Sequence, residues 1–465
     1  MYWVPCHRKG NLLASKIEHT RFTERTLTIN PQLTFPYFIG KDKEGLYLTV
    51  PFTMPANVES FSLSYEYEYR PQIPVAVDNG KFTSTPEVNV IDLGLIDPAG
   101  KQVGASGSDK RKITISETDA TPGYHPWPLT PGEWKIIVGA YHVAPQGVNI
   151  TYHLNYTFKH LHLLKGDLHT HTLASDGVLT AEELTQRALR HGLDFLAITD
   201  HNQMVTADAL PHLPGITVIP GVEYTLFKAH ANFIGSEQPY DEAFLTNDMA
   251  GIIAHYQSAR ERGALITINH PFEEICPFTI DLKIVPFDCI EIWNGPMRES
   301  NLRAVGLWHN LLVQGMKVPI SAGSDFHRDS LFLFPGGPTI CVLTMSASPA
   351  DILAAVKQGH AYVIYAPDGP TLDCTAADAK LGDSVPFSKV KEMKIAVTGL
   401  VPGDLVQVVT AQGAEPLVKA SVPGYWEGNY LIDVPGFARV EILRAFLPGL
   451  PLLPALISNP IYFDK

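Results

Sequence analysis

Four times between residues 195 and 327, a short apolar run ends directly in histidine or carboxylate residues. Phe195–Ile198 leads into Thr199-Asp200-His201-Asn202, and Ile216–Ile219 leads into Gly221-Val222-Glu223. Leu265–Ile268 leads into Asn269-His270-Pro271, and Val318–Ala322 into Gly323-Ser324-Asp325-Phe326-His327. Helix signals lie between these runs. Thr180 and Glu183 form a capping-box pattern closed by Gly192, and Ser348-Pro349 opens a segment that Gly359 ends. Further helices are predicted over about 248–262 and 299–312. Alternating helices and short buried strands predict a parallel sheet, open or closed into a barrel, with polar side chains gathered on the C-terminal rim of its strands.

A second pattern stands ahead of the first strand-and-helix unit. In Gly166-Asp167-Leu168-His169-Thr170-His171 the two histidines are two residues apart, so in an extended chain both face one side. Ser175-Asp176-Gly177 follows. Taken singly, Asp176 reads as a turn residue, His201 as a helix cap and Glu223 as a solvated carboxylate. Their recurrence at strand ends is what points to metal ions. Imidazole and carboxylate donors suit Zn²⁺, Mn²⁺ or Fe²⁺. The cysteines, Cys6, Cys276, Cys289, Cys341 and Cys374, form no CxxC pair, which argues against a thiolate-rich structural zinc site and a disulfide scaffold. Asp167 and Asp200 are placed to orient histidine N–H groups.

The ordered set Asp167-Leu168-His169-Thr170-His171, Ser175-Asp176-Gly177, Thr199-Asp200-His201-Asn202, Glu223, Asn269-His270-Pro271 and Gly323-Ser324-Asp325-Phe326-His327 resembles the PHP (polymerase and histidinol phosphatase) superfamily over residues 162–365. The flanking β-rich regions and Ser458-Asn459-Pro460-Ile461-Tyr462 are similar to its large carbaryl-hydrolase-like (CehA/McbA-type) branch. The resemblance implies an α/β fold, a distorted (β/α)7 barrel with two or three divalent ions. It further implies that His169, His171, Glu223 and Asp325 bind the first ion, and that Glu223 bridges to a second completed by His230 and His270. Asp176, His201 and His327 would bind the third. His230 is matched by its place in Lys228-Ala229-His230-Ala231-Asn232, and Asp176 stands where some members of the superfamily have histidine.

Close divalent ions activate a bridging water as hydroxide and neutralise charge on phosphoryl oxygens, so the expected reaction is hydrolysis of a phosphomonoester or phosphodiester. Glu223, His270, Asp325 and Arg328 are the expected catalytic residues. Hydrolysis of a carboxylic or carbamate ester by the same centre is the alternative, and a non-enzymatic metal- or carbohydrate-binding role is a third reading. Arg298, Arg303 and Asn294 are further candidates for substrate contact. No GxGxxG with an acidic partner, GxxxxGK[ST] or GxSxG occurs, so no nucleotide cofactor or serine nucleophile is expected.

On either side of the central region, short strand-forming runs separated by Pro/Gly/Asn turns predict sandwich-like β units. The division is residues 1–160, 161–365 and 366–465. The formal net charge of −13 argues against a general binder of nucleic acid or anionic membrane, so no strong nucleic-acid-binding signature is read and the expected partner is a small-molecule ester or phosphoester substrate. No signal peptide or membrane span is read, which predicts a cytoplasmic protein. Oligomeric state has no signal.

Overall fold

The computed structural model describes residues 32–70, 87–236 and 238–465. Cys6, the N-terminal segment read for a signal peptide and the turn expected at Asp78-Asn79-Gly80 lie outside them.

The described residues 32–70 and 87–158 form two facing antiparallel sheets. One runs in the order Gln32–Ile39, Val148–Phe158, Val58–Glu66, Lys112–Ser116. The other runs Tyr47–Met54, Gly132–His142, Val90–Ile96, Gln102–Ser106. Period-two alternation drives this packing: along Val148–Phe158, the side chains of Val148, Ile150, Tyr152, Leu154 and Tyr156 are buried. Phe61 and Trp134, one from each sheet, meet edge-on across the core with ring centroids 6.0 Å apart.

The central unit contains β1 (His162–Asp167), α1 (Ala181–Arg190), β2 (Phe195–Ile198), β3 (Thr217–Leu226), β4 (Ala229–Ile234), α2 (Met249–Glu261), β5 (Leu265–Ile268), β6 (Cys289–Asn294), α3 (Glu299–Val313) and β7 (Ile320–Gly323). Then come β8 (Thr339–Thr344), α4 (Pro349–Gln358) and β9 (Ala361–Ile364). Local signals set the helix ends. Thr180 and Glu183 close a capping box on α1, Ser348 caps α4 with Pro349 in its first turn, and Gly359 ends α4 in the left-handed region.

Strands β1 to β7 lie side by side in chain order. Strands β1, β2 and β3 are mutually parallel, as are β5, β6 and β7, but β4 is antiparallel to both its neighbours. The sheet is therefore mixed, where sequence reasoning predicts it parallel. Phe227 and Lys228 alone join β3 to β4, too short a link for a helical crossover, so the chain makes a hairpin. The residues following β1 and β7 close the circle: Asp325 N–H donates to the His169 carbonyl at 2.8 Å, and His171 N–H to the Phe326 carbonyl at 3.0 Å. Strands β2, β5, β6 and β7 are buried along their whole length, as the central strands of an enclosed sheet must be.

Beyond residue 365 two further layers enclose a core that includes Leu372, Met393, Ile395, Val406, Val440 and Ile442. One layer is a three-stranded sheet of Thr371–Thr375, Glu392–Leu400 and Gly424–Leu431. In the last of these strands Gly424 and Gly428 argue against a strand in sequence, yet Gly428 leaves space that the Trp426 ring occupies. The other layer continues the barrel sheet. Strand β1 pairs with β8, β8 with β9, and β9 with Leu453–Ser458, which pairs with Gly436–Arg444. Asn459 fastens the junction, accepting from Ile320 N–H and donating to the Ala361 carbonyl, both at 3.0 Å. No helix among the described residues is long and apolar enough to cross a membrane.

Candidate metal centre

The chain leaving β1 is extended, so His169 and His171 point inward while Thr170 turns away and donates its hydroxyl to the Ala197 carbonyl at 2.7 Å. The two imidazoles both face the carboxylates of Glu223 and Asp325. Glu223, in the C-terminal half of β3, faces His169 Nε2 (3.3 Å), His230 Nδ1 (3.0 Å) and His270 Nε2 (3.3 Å) through Oε1. Its Oε2 faces His201 Nδ1 (2.7 Å) and His171 Nε2 (3.5 Å). Asp325, just past β7, places Oδ1 3.0 Å from His171 Nε2, 3.4 Å from His169 Nε2 and 3.5 Å from His327 Nδ1. At the open edge, Asp176 Oδ1 lies 3.2 Å from His327 Nε2 and 3.7 Å from His201 Nε2. Every one of the nine residues singled out in the sequence as metal ligands lies in this cluster. His230 reaches it from the antiparallel β4, opposite Thr225 in the β3–β4 register.

Close approach here is not the same as hydrogen bonding. His169 Nε2, both ring nitrogens of His171, Glu223 Oε2 and Asp325 Oδ1 are buried without a hydrogen-bond partner, although imidazole and carboxylate atoms face one another at 2.7–3.5 Å. His201 Nδ1, near Glu223 Oε2, is also 2.7 Å from the Thr225 hydroxyl. Unpaired lone pairs converging in a dry interior are costly unless a cation takes them. The donor set therefore fits divalent metal ions. Three overlapping groups have donor atoms close enough to share an ion: His169 with His171 and Glu223, His169 with His270 and Asp325, and His171 with Asp176, His201 and His327.

The electrostatics of the protein without metal follow from this crowding. Burial pushes Glu223 and Asp325 up, but the His169 charge and the imidazoles crowded around each carboxylate outweigh it and hold both well below the usual carboxylate range. Burial lowers His169, yet Asp325, Glu291 and Glu223 together raise it well above an ordinary imidazole. His270 is likewise raised, against burial, by Cys276 and Glu223. For His171 burial dominates and lowers it.

Sequence reasoning missed several supports. Glu291, in the middle of β6, accepts from His169 Nδ1 at 2.9 Å through one oxygen and from His270 N–H at 2.8 Å through the other. Asn269 donates to Glu223 Oε1 at 2.8 Å and to Asn232 Oδ1 at 2.9 Å. A charged residue inside an otherwise apolar strand is the signal that marks Glu291. Cys276 is also close, its sulfur 3.9 Å from His270 Nδ1, so one thiol does border the cluster. The histidine-orienting role expected of Asp167 and Asp200 is not what they do. Asp167 accepts backbone N–H groups of His169, Ser324 and Gly336, and Asp200 accepts from Thr172 and Ser175. Both side chains turn toward loop backbone and hydroxyls, leaving the ring-orienting position to Glu291. Burial pushes the Asp167 carboxyl up to about 6.

The loop backbone is strained where it presents ligands: φ is +23° at His270, +53° at Asp325 and +49° at Asn202. Of the substrate-contact candidates, Asn294 donates to Asp325 Oδ2 at 3.2 Å and accepts from Arg298 at 3.2 Å. Arg298 also pairs with Glu273. Arg303 lies 4.5 Å over the Phe272 ring, turned to a packing role. Arg328 is exposed beside His327, with no hydrogen bond or ion pair among the described residues.

The family model of the PHP domain matches residues 167–279, the stretch that supplies seven of the nine clustered residues, from His169 to His270. Within the central unit, residues 167–279 therefore carry a PHP domain. The chain is similar to the 5'-3' exoribonuclease Rnm of Salmonella typhimurium, 42% identical over 73 residues, covering 14% of this chain and 24% of that protein. It is also similar to a 5'-3' exoribonuclease of Haemophilus influenzae, 44% identical over 62 residues, covering 13% and 23%. The chain thus spans about a quarter of the length of the curated relatives it matches. Among solved structures, a two-domain protein of Bacteroides vulgatus containing a predicted PHP-like metal-dependent phosphoesterase aligns with a TM-score of 0.37 and 15% identity, over 66% of this chain and 96% of that one. An amidohydrolase of Chromobacterium violaceum aligns with a TM-score of 0.29 and 17% identity, over 36% and 89%. The exoribonuclease relatives correct the expectation of no nucleic-acid signature. That expectation rested on a net charge summed over the whole chain, within which a local site of opposite character can sit.

Proposed function

We propose that the PHP domain of this chain is a metal-dependent phosphoesterase, acting on a phosphomonoester or phosphodiester. The observation that carries the reading is Glu223: one buried carboxylate met by five imidazoles at 2.7–3.5 Å, with donor atoms left unpaired around it. We assign His169, His171, Glu223 and Asp325 to a first ion, Glu223, His230 and His270 to a second, and Asp176, His201 and His327 to a third. The nitrogen and oxygen donors suit Zn²⁺, Mn²⁺ or Fe²⁺. Such ions supply Lewis acidity, lowering the pKa of water and offsetting charge on phosphoryl oxygens.

The chain's own residues do the rest. Glu291 fixes the ring of His169 and the backbone of His270, so two proposed ligands are oriented from one carboxylate. Asn294 holds the outer oxygen of Asp325, keeping Oδ1 turned inward. Arg328, exposed at the Asp176 side, is the residue we assign to a substrate phosphate oxygen. The exoribonuclease relatives make an RNA phosphodiester one of the substrates to try. The flanking β units and the Asn459 fastening support the finer placement in the carbaryl-hydrolase-like branch, which makes a carbamate or aryl carboxyl ester the competing substrate.

Metal analysis joined to a panel of phosphomonoesters, oligoribonucleotides and aryl carboxyl or carbamate esters tests the reading. Phosphoester turnover that chelation removes and added metal restores is the expected result, and Glu223→Gln should lose both bound metal and turnover. Ester or carbamate cleavage without phosphoester cleavage overturns the substrate class; full metal content and turnover in Glu223→Gln overturns the assignment of that residue.

A further inference from the structure

A second group of ligand-type side chains lies at the seam between the N-terminal sandwich and the barrel, away from the centre just described. His160 and His162 flank the short link from Val148–Phe158 into β1, and in this extended stretch their side chains fall on one face. Their rings lie 3.9 Å apart. Glu59, from strand Val58–Glu66, places one carboxylate oxygen 3.2 Å from His162 Nε2 and the other 3.6 Å from His160 Nδ1. Donor atoms of all three residues lie within 4.8 Å of one another.

The backbone independently singles out Glu59. In the pairing of Val58–Glu66 with Val148–Phe158, Val58 is opposite Phe158 and Ser60 opposite Thr157, so Glu59 is the extra residue of a β-bulge. Bulges redirect a side chain out of the regular alternation, and here the redirected carboxylate meets the link to the barrel. The neighbouring Lys159 makes its close ion pairs elsewhere, with Asp351 of α4 at 2.7 Å and with Glu117 at 3.9 Å.

We propose that Glu59, His160 and His162 form a separate binding site for a borderline divalent transition ion of the Zn²⁺ class. Two imidazoles and one carboxylate are a donor set that such ions accept, and the exposure of His160, whose side chain is 63% accessible, leaves a coordination position for water. Glu59 belongs to the sandwich and His162 is the first residue of β1, so the ion ties the two units together. It stabilises their junction by binding only the folded arrangement. This inference is independent of the reaction assigned to the PHP domain.

The test is Zn²⁺ stoichiometry of the full chain, equilibrated at one buffered free Zn²⁺ concentration, for the wild type, His160→Gln and the double variant His160→Gln/His162→Gln. The expected result is one equivalent fewer in both variants, with circular dichroism and turnover unchanged. Thermal unfolding gives the second measurement. In Glu223→Gln, Zn²⁺ should still raise Tm, and the rise should become smaller when His160→Gln and His162→Gln are added. Equal stoichiometry in all three proteins overturns the site and leaves a plain hydrogen-bonded contact between Glu59 and the two histidines. A Zn²⁺-dependent rise in Tm that both histidine substitutions leave undiminished overturns it as well.

Discussion

Asp325 gives its backbone N–H to the carbonyl of His169 at 2.8 Å, and the same two residues bring Oδ1 and Nε2 to within 3.4 Å. The bond that closes the barrel and the approach that builds the metal centre are therefore made by one pair. Closure and ligand placement cannot be varied separately at this point, which gives the first prediction.

Gly323, the last residue of β7, has no room for a methyl group: a Cβ there would lie 2.3 Å from His169 Cβ and 2.7 Å from His169 N. Gly323→Ala should lose about 1–3 kcal/mol of stability, the usual cost of overpacking a core, together with metal affinity. Urea unfolding and a metal titration check both. A variant of native stability would show that the two strands can separate without penalty.

Glu291→Gln keeps the volume but removes the charge that faces His169 Nδ1. Metal affinity should fall by about 10–100-fold, the usual effect of losing such a partner. Chelator competition measures this, and unchanged affinity would remove Glu291 from the supports of the centre.

Asp176 is the most exposed of the proposed ligands, with a side chain 55% accessible. Asp176→Ala should release one equivalent of metal and leave the ions held by Glu223 in place. Unchanged stoichiometry takes Asp176 off the list of ligands.

The metal-free protein should show a pH dependence opposite to the loaded one. Glu223 and Asp325 have depressed folded pKa values, so their contribution is complete above their ordinary values of 4.5 and 3.8 and is lost as pH falls through the lower folded values. His169 and His270 are raised, so theirs is complete below the ordinary 6.5 and is lost as pH rises through the higher folded values. Both sets are fully present between 4.5 and 6.5. The Tm of chelated protein should peak in that window and decline toward alkaline pH, while metal-loaded protein gains stability there because metal no longer competes with protons. Calorimetry in buffers of different ionisation enthalpy should detect proton release on metal binding; no release would contradict the protonation assigned to His169 and His270.

Much of this was legible in the sequence because the informative features are local. Thr180 with Glu183 and Ser348 with Gly359 state their helix ends within a few residues, and the strand-end histidines announce a rim. What escaped depends on distance along the chain. Glu291 meets His169 across 122 residues, and inside an apolar run its carboxylate has no local partner to betray its role. Strand β4 escaped because a hairpin with a two-residue link, Phe227 and Lys228, interrupts an otherwise alternating pattern. Glu59 is noticeable only once the bulge opposite Phe158 and Thr157 is known.

Composition divides this chain near residue 365, but its hydrogen bonds do not. Strand β9 pairs on its far side with Leu453–Ser458, and Asn459 supplies the partner of Ile320 N–H at the start of a strand that ends in the metal centre. A barrel cut free at that boundary would present a fresh adhesive edge and an unanswered amide. The last dozen residues of the polypeptide thus act as a keystone for a catalytic unit assembled long before them, and the protein cannot be reduced to that unit without first giving it a new flank.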